Sequence, residues 1–225
     1  MIVALFDSDG TLFARQQGRG MMEYSEAHGR RRAARNYFVS LLPAYFLRKA
    51  SLMKAERYQQ LIIRRLGWLV RGLDEAQGAA LFEWVANDYL LATKRADTAE
   101  RLKEHQDRGR RVAIVSGMFT PCLKWIGRHF RVTDLIGTGI EVMNGVYTGR
   151  IVPPVITGAV KAEYVRRHFS RLGLDVDWAA SFAYGDSFTD REMLGLTGHP
   201  VAVYPDARLH ALAQERGWEV LGEPK

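Results

Sequence analysis

The sequence predicts an α/β fold: a doubly wound parallel sheet into which an α-helical bundle is inserted early in the chain. Three observations carry this. From about Thr98 onward, short apolar runs such as "RVAIVS", "SFAYGDS" and "PVAVY" alternate with helix-length amphipathic segments. A further run of the same kind, "IVALF", opens the chain. Between them, from about Met21 to Leu91, the periodicity is helical. The expected domains are a core of residues 1–14 and 97–225 and a helical insert of residues 15–96.

Taken in order, "IVALF" reads as a buried strand because it is apolar on both alternating faces. The insert reads as three helices, "YSEAHGRRRAARNYFVSLL", "KAERYQQLIIRRLGWLVRGL" and "DEAQGAALFEWVANDYLLA". In the middle one Tyr58, Leu61, Ile62, Leu66, Leu69, Val70 and Leu73 recur at helical spacing beside Lys54, Arg57, Arg64, Arg65 and Arg71. Such a stripe packs in a bundle or lies on a membrane surface. After it come a helix to Asp107, strand "RVAIVS", helix "TPCLKWIGRHF" and a hairpin "GTGIEVMNGVYTGRIV" turning at Asn144 and Gly145. Helix "AVKAEYVRRHFSRLG", strand "SFAYGDS", helix "TDREMLGL", strand "PVAVY", helix "DARLHALAQER" and a terminal "WEVL" complete the alternation. If the insert moves to admit a ligand, Ala14 to Gly20 and Ala96 to Ala99 are the expected hinges, with freedom from Gly18 and Gly20.

Composition excludes several classes. With 47% apolar and 25% charged residues in 225, the chain is globular rather than disordered. Cys122 is the single cysteine, without a His neighbour, and reads as a small buried hydrophobe; no intrachain disulfide can form. With no basic leader ahead of "IVALF", a cytoplasmic protein is expected. The apolar stretch "YFVSLLPAYFL" is about half the roughly 20 residues of a membrane span and contains Pro43. The glycines of "GTGIEVMNG" lack the strand-to-helix turn of a dinucleotide site, and no His pair has i, i+4 metal spacing. Net charge is +7, and it is concentrated: Ala14 to Ala96 holds 15 Lys and Arg against 7 Asp and Glu, the remainder 17 against 18. The insert is therefore expected to be a solvated basic surface or to face an anionic substrate or surface. Nucleic acid is not expected, since the cations come without interleaved aromatic platforms.

In an open parallel sheet, ligands bind beyond the carboxyl ends of the strands. "IVALF" ends on Asp7 and Asp9, "RVAIVS" on Ser116 and Gly117, and "SFAYGDS" on Asp186 with Asp190 shortly after; Lys161 lies one turn into its helix. Asp7 and Asp9 fall on one face of an extended chain, where their charges repel. Four carboxylates in one cleft call for a cation, and an all-oxygen set suits a hard ion such as Mg2+. Lys161, Ser116, Thr11 and the main-chain amides at Gly10 and Gly117 are donors suited to a phosphoryl group. Asp7 can attack phosphorus while Asp9 manages protons.

These residues carry a resemblance. "FDSDGTLF", "VAIVSG" with Ser116, "GAVK" with Lys161 and "YGDSFTDREML" with Asp186 and Asp190 resemble, in order, the four motifs of the haloacid dehalogenase (HAD) superfamily. The insert and the "NGVYTGRI" hairpin make the chain most similar to its phosphoserine-phosphatase-like subgroup. That similarity implies a Rossmann-like core, a helical-bundle cap and Mg2+-dependent hydrolysis of a phosphate monoester. It implies Asp7 as nucleophile and metal ligand, and Asp9 as acid/base whose main-chain carbonyl reaches the metal. Ser116 and Lys161 would hold the phosphoryl group, Asp186 the metal, and Asp190 would support the metal site. Thr189 departs from the Asn typical of phosphoserine phosphatases, and no local pattern singles out a cap Glu or Arg, although Glu23 is placed to serve. The expected substrate is a small phosphorylated metabolite or a lipid head group. Phosphoserine itself, a lipid phosphate taken at an anionic membrane through the cap, and a phosphorylated signalling domain without turnover stay open, as does oligomeric state.

Overall fold

A computed structural model describes residues 1–225. Its seven-stranded sheet has the order β4-β3-β2-β1-β5-β6-β7. The strands are β1 (Val3–Phe6), β2 (Arg111–Phe119), β3 (Asp134–Met143), β4 (Val146–Val152), β5 (Phe182–Gly185), β6 (His199–Val203) and β7 (Glu219–Leu221). All pairings are parallel except that of the edge hairpin β3–β4. The hairpin turns at Asn144 and Gly145, both at positive φ (50° and 74°), which matches strand twist in a two-residue turn.

β1 lies between β2 and β5 and alternates strictly between the two faces. Ala4 and Phe6 join one buried cluster, Val3 and Leu5 the other, which is the doubly wound arrangement read from "IVALF". The chain leaves β1 through the helical insert and returns as β2, whereas β5 reaches the other flank through the later crossovers. The carboxyl end of β1 is therefore a topological switch point.

The insert comprises α1 (Gln17–Ala27), α2 (Arg31–Lys49), α3 (Ala55–Leu66) and α4 (Glu75–Trp84). Three of its boundaries differ from the sequence reading. The first expected helix breaks at Gly29, whose φ of 76° the α conformation does not allow, so α1 and α2 are separate. Pro43 sits inside α2 without ending it; it is on the solvent side, where water can meet the carbonyl that it leaves free. The second expected helix gives way after Leu66 to a tighter 3-10 turn, Gly67–Leu69, where Gly67 lies against β4: a Cβ there would stand 2.3 Å from the Gly149 carbonyl oxygen. From this point the chain bonds to the hairpin, Gly72 N–H donating to the Tyr147 carbonyl (2.8 Å) and Tyr147 N–H to that of Leu73 (2.8 Å). α4 starts on a capping box of Asp74 and Gln77 and continues as a π turn, Val85–Leu90.

The apolar stripe of the middle helix is spent inside the protein. Ile63, Leu66, Leu69 and Val70 are buried in the cluster that contains Ala4 and Phe6, so it is a bundle stripe and not a membrane face. Gly18 and Gly20 are not free joints either. Both lie within α1, and a Cβ on Gly20 would meet Tyr89 at 2.6 Å, so they permit close helix packing. Where the chain enters and leaves the insert its two passages are paired, Ala14 N–H to the Thr93 carbonyl and Arg95 N–H to that of Leu12, each at 2.9 Å.

The remaining helices are α5 (Ala96–Asp107), α6 (Thr120–Phe130), α7 (Ala159–Arg171), α8 (Arg191–Leu194) and α9 (Ala207–Arg216). Cys122 is fully buried on α6, as its apolar setting implied. No helix is long and apolar enough to cross a membrane.

On α5, His105 is buried against Phe6 and Phe182. Arg110 can only donate, so His105 Nδ1 accepts from it (3.1 Å) and Nε2–H donates to the Tyr184 hydroxyl (2.9 Å). Burial, helped by the charges of Arg110, Arg108 and Arg101, lowers its pKa to about 4. The neutral ring is the folded form, so its stabilisation is complete above the unfolded value of about 6.5 and is lost as pH falls toward 4. Chemical denaturation across that window is expected to show a loss on the order of 2 kcal/mol, reduced in His105→Gln. An identical pH slope in both proteins would assign the loss to other groups.

Candidate active site

Asp7 continues β1 by one residue, its N–H donating to the Tyr184 carbonyl (2.9 Å), and is 4% exposed. The chain then turns tightly at Gly10, whose φ is 92°. A side chain at this position would collide with the carboxylate of Asp186, a Cβ standing 2.1 Å from Oδ2, so glycine lets the ends of β1 and β5 approach. Lys161, in the first turn of α7 and 3% exposed, donates to Asp7 Oδ1 (2.5 Å) and Asp190 Oδ1 (2.6 Å). Thr11 Oγ1 lies 3.4 Å from Asp7 Oδ2.

The structure thus brings Asp7, Asp186, Asp190 and Lys161 together, with Gly10 and Thr11 in the loop around them. Ser116 and Gly117 reach the same cleft, where β2 shifts register between Val115 and Phe119. Met118 N–H donates to Ser116 Oγ (3.2 Å), and Gly117 is overhung by Ile63 of α3. β2 runs to Phe119, three residues beyond the expected strand, so Ser116 and Gly117 sit in an irregular strand rather than after it. Asp9 lines the same cleft, its carboxylate accepting from Gln17 N–H at 3.2 and 3.1 Å rather than joining the other acids. The carboxylate oxygens within 4.8 Å of one another are those of Asp7, Asp186 and Asp190.

Burial dominates the electrostatics. It pushes Asp7 up to about 6, against the pull of Lys161, and Asp186 to about 7, with the charges of Asp7 and Asp190 adding. Asp9 rises to about 8 through burial and the charge of Asp7, opposed by the Gln17 N–H. Burial alone would lower Lys161, but Asp190 and Asp7 outweigh it and hold the ammonium charged. Three buried carboxylates against one buried ammonium leave a surplus of negative charge, and the donors are all oxygen. That set fits a hard dication such as Mg2+. Lys225, at 2.5 Å from Asp186 Oδ2, brings a second ammonium to the same cluster.

Several supporting residues carried no signal in the sequence. Gln17 holds Asp9 with its N–H and accepts from Phe119 N–H through its side chain (2.9 Å), tying the first loop to the end of β2. Asp206 accepts from Phe188 N–H (2.8 Å) and gives its own N–H to the Asp186 carbonyl (2.9 Å). Arg95 donates to the Gly10 carbonyl (3.1 Å) and stacks 3.6 Å from the Tyr204 ring. Their partners are distant in sequence, so local spacing reveals none of them, except that Asp206 has the form of a helix cap. Thr189 bonds Ser187 (2.7 Å), which in turn donates to Asp190 (3.0 Å), so it supports the acid beside it.

The cleft, of 860 Å3, lies between this cluster and α1, α2 and α3. Its wall is not where the positive charge of the insert lies. Of the basic residues of the insert only Arg19 lines it, together with Glu23 and Glu26, so the excess positive charge lies elsewhere on the insert.

A family profile described as haloacid dehalogenase-like hydrolase matches residues 4–195. The chain belongs to this family. It is 35% identical over 223 residues to phosphoserine phosphatase SerB1 of Mycobacterium tuberculosis, covering 96% of this chain and 69% of that protein. A solved protein of unknown function from Bordetella pertussis Tohama I superimposes with a TM-score of 0.83 at 26% identity, over 98% of this chain and 97% of that one. A structure described as a phospho-aspartyl intermediate analogue of phosphoserine phosphatase shares the fold, with a TM-score of 0.66 at 18% identity over 100% and 94% of the two chains. The Rossmann-like HAD core is thus present, and within the hydrolase family the chain is similar to proteins named phosphoserine phosphatase.

In this HAD protein the approach of Gly10 to Asp186 is steric and conformational at once. Gly10→Ala is expected to destabilise the fold by about 1–3 kcal/mol in urea unfolding, since strain and overpacking add. A change below about 0.5 kcal/mol would show that the loop relaxes freely.

Proposed function

We propose that the protein hydrolyses a phosphate monoester through an aspartyl phosphate on Asp7. The observation that carries this reading is the buried Asp7 carboxylate, held by Lys161 at 2.5 Å, with a second carboxylate, Asp9, two residues on and anchored by Gln17. Asp7 attacks phosphorus and the bond to the leaving oxygen breaks, Asp9 giving that oxygen its proton. Asp9 then takes a proton from water as the water attacks phosphorus, the bond to Asp7 breaks and inorganic phosphate leaves. Lys161, Ser116 and the amide of Gly117, which line the cleft, hold the phosphoryl oxygens. Gly10 and Thr11, expected to share in this, are buried behind it instead, the Gly10 N–H donating to the Phe13 carbonyl (2.8 Å) and the Thr11 hydroxyl facing Asp7. Mg2+ would be held by Asp7 and Asp186, by the Asp9 main-chain carbonyl, and with the support of Asp190; bound there, it offsets charge on the transferring group. Asp9 is what separates this reading from a phosphorylated signalling domain, because it equips the site to hydrolyse its own intermediate.

The cleft wall bears on the leaving group. Met22, Tyr37, Phe38, Ile62 and Leu66 give it an apolar side, and Glu23 and Glu26 an acidic one. Its single cap cation, Arg19, has a side chain 79% exposed and paired with Glu23. A substrate carboxylate, such as that of phosphoserine, would meet acid here rather than a buried cation. The wall favours a phosphate ester with a neutral or cationic, partly apolar leaving group.

With a generic aryl phosphate and Mg2+, Asp7→Asn is expected to lower kcat by at least about 10³-fold, and EDTA to abolish turnover reversibly. Near-full turnover in Asp7→Asn would refute the covalent route. In a substrate panel, kcat/KM for phosphocholine or aryl phosphate is expected to exceed that for phosphoserine by at least about tenfold. A preference for phosphoserine would mean that Arg19 or another cap arginine swings in to bind its carboxylate.

A further inference from the structure

The segment "YFVSLLPAYFL" entered no part of the site chemistry, and its place in the fold is unusual. α2 buries Ala34, Tyr37 and Ala44 and leaves its opposite side to solvent. On that side Phe38, Val39, Tyr45 and Phe46 are 54, 53, 48 and 62% exposed, and Leu52, just past the helix, is 76% exposed. Their spacing of about three to four residues places the aromatic side chains on one face, with Leu42 between them. A contiguous exposed apolar face of this kind marks an interaction surface.

The charge around it indicates the partner. Between Glu26 and Glu56 the chain has seven Lys and Arg and no acidic residue. Arg31, Arg32 and Arg35 lie at one end of the apolar face, Lys49 and Lys54 at the other, all exposed. Here is the positive excess of the insert that the cleft does not use. We propose that this face of α2 docks on an anionic phospholipid bilayer, its aromatic and aliphatic side chains entering the headgroup region while the flanking cations meet lipid phosphates. A second copy of the chain fits less well, because an isologous contact would bring the two sets of unpaired cations together. Phe38 also lines the cleft, so docking would set the cleft mouth beside the membrane surface. The docking surface is independent of the catalytic reading: it requires no turnover, and its failure would leave the acidic site untouched.

Cosedimentation of the full chain with phosphatidylcholine vesicles, with and without about 30% phosphatidylglycerol, tests it. Partition is expected to be at least about tenfold higher on the anionic vesicles at low salt, and to fall sharply at about 0.5 M salt. Phe46→Asp, Leu52→Asp and the double variant Arg31→Glu/Arg35→Glu are each expected to reduce binding about tenfold, with circular dichroism and soluble aryl phosphate hydrolysis unchanged. The charge-reversal variant alters only exposed side chains, so it decides the matter if an apolar substitution perturbs the fold. Equal partition on both vesicle types, or full binding by the folded variants, overturns the proposal. So does a wild-type dimer in sedimentation velocity that Phe46→Asp converts to monomer, since a second copy would then cover the face.

Discussion

Lys161 sits between Asp7 and Asp190, 2.5 and 2.6 Å from their oxygens and almost out of contact with water, and this arrangement constrains the rest of the molecule. A buried ion pair is tolerable only when its geometry is held, and removing one member strands the other at a cost of about 3–5 kcal/mol. The ends of β1 and β5 and the first turn of α7 must therefore meet within a fraction of an ångström. Several other features follow from that requirement. Gly10 lacks a side chain so that Asp186 can enter, Asp206 ties down the Asp186 loop, and Gln17 braces the first loop against β2. Charge supplied by a dication would complete a balance that the protein's own cations leave negative.

Much of the core was legible in the sequence because it obeys short-range rules. Strands buried on both faces read as unbroken apolar runs, Asn144–Gly145 announces its turn, and acids after strand ends announce a cleft. The same rules failed where long-range contact decides. No periodicity indicates that Gly67, at the end of α3, meets the backbone of Gly149, or that Gly18 and Gly20 serve packing rather than motion. Gln17 and Arg95 were invisible for the same reason: their partners, Phe119 and Gly10, are on the order of 100 residues away in the chain. The sequence placed Asp7, Asp186, Asp190 and Lys161 at one edge, but not the turning of the Asp9 carboxylate toward Gln17.

Net charge left open whether the insert's cations are a solvated face or meet an anionic substrate or surface, because a helix has two sides and a count does not distinguish them. Once folded, the inner side of the insert is apolar and acidic and the outer side of α2 is basic and aromatic. Catalytic selectivity and any surface attachment are then governed by separate residues, apart from Phe38, and can change independently.

The backbone bonds that join Gly72 and Leu73 to Tyr147 make the edge hairpin a working part of the insert. Tyr147 also fills the space over Gly78 and packs edge-on against Phe82. A chimera that exchanged residues 15–96 for a foreign helical bundle would leave these main-chain groups without partners and an aromatic side chain without its socket. The bundle and β4 are thus joined through main-chain bonds, and engineering that respects only the linear boundaries of the insert would cut through them.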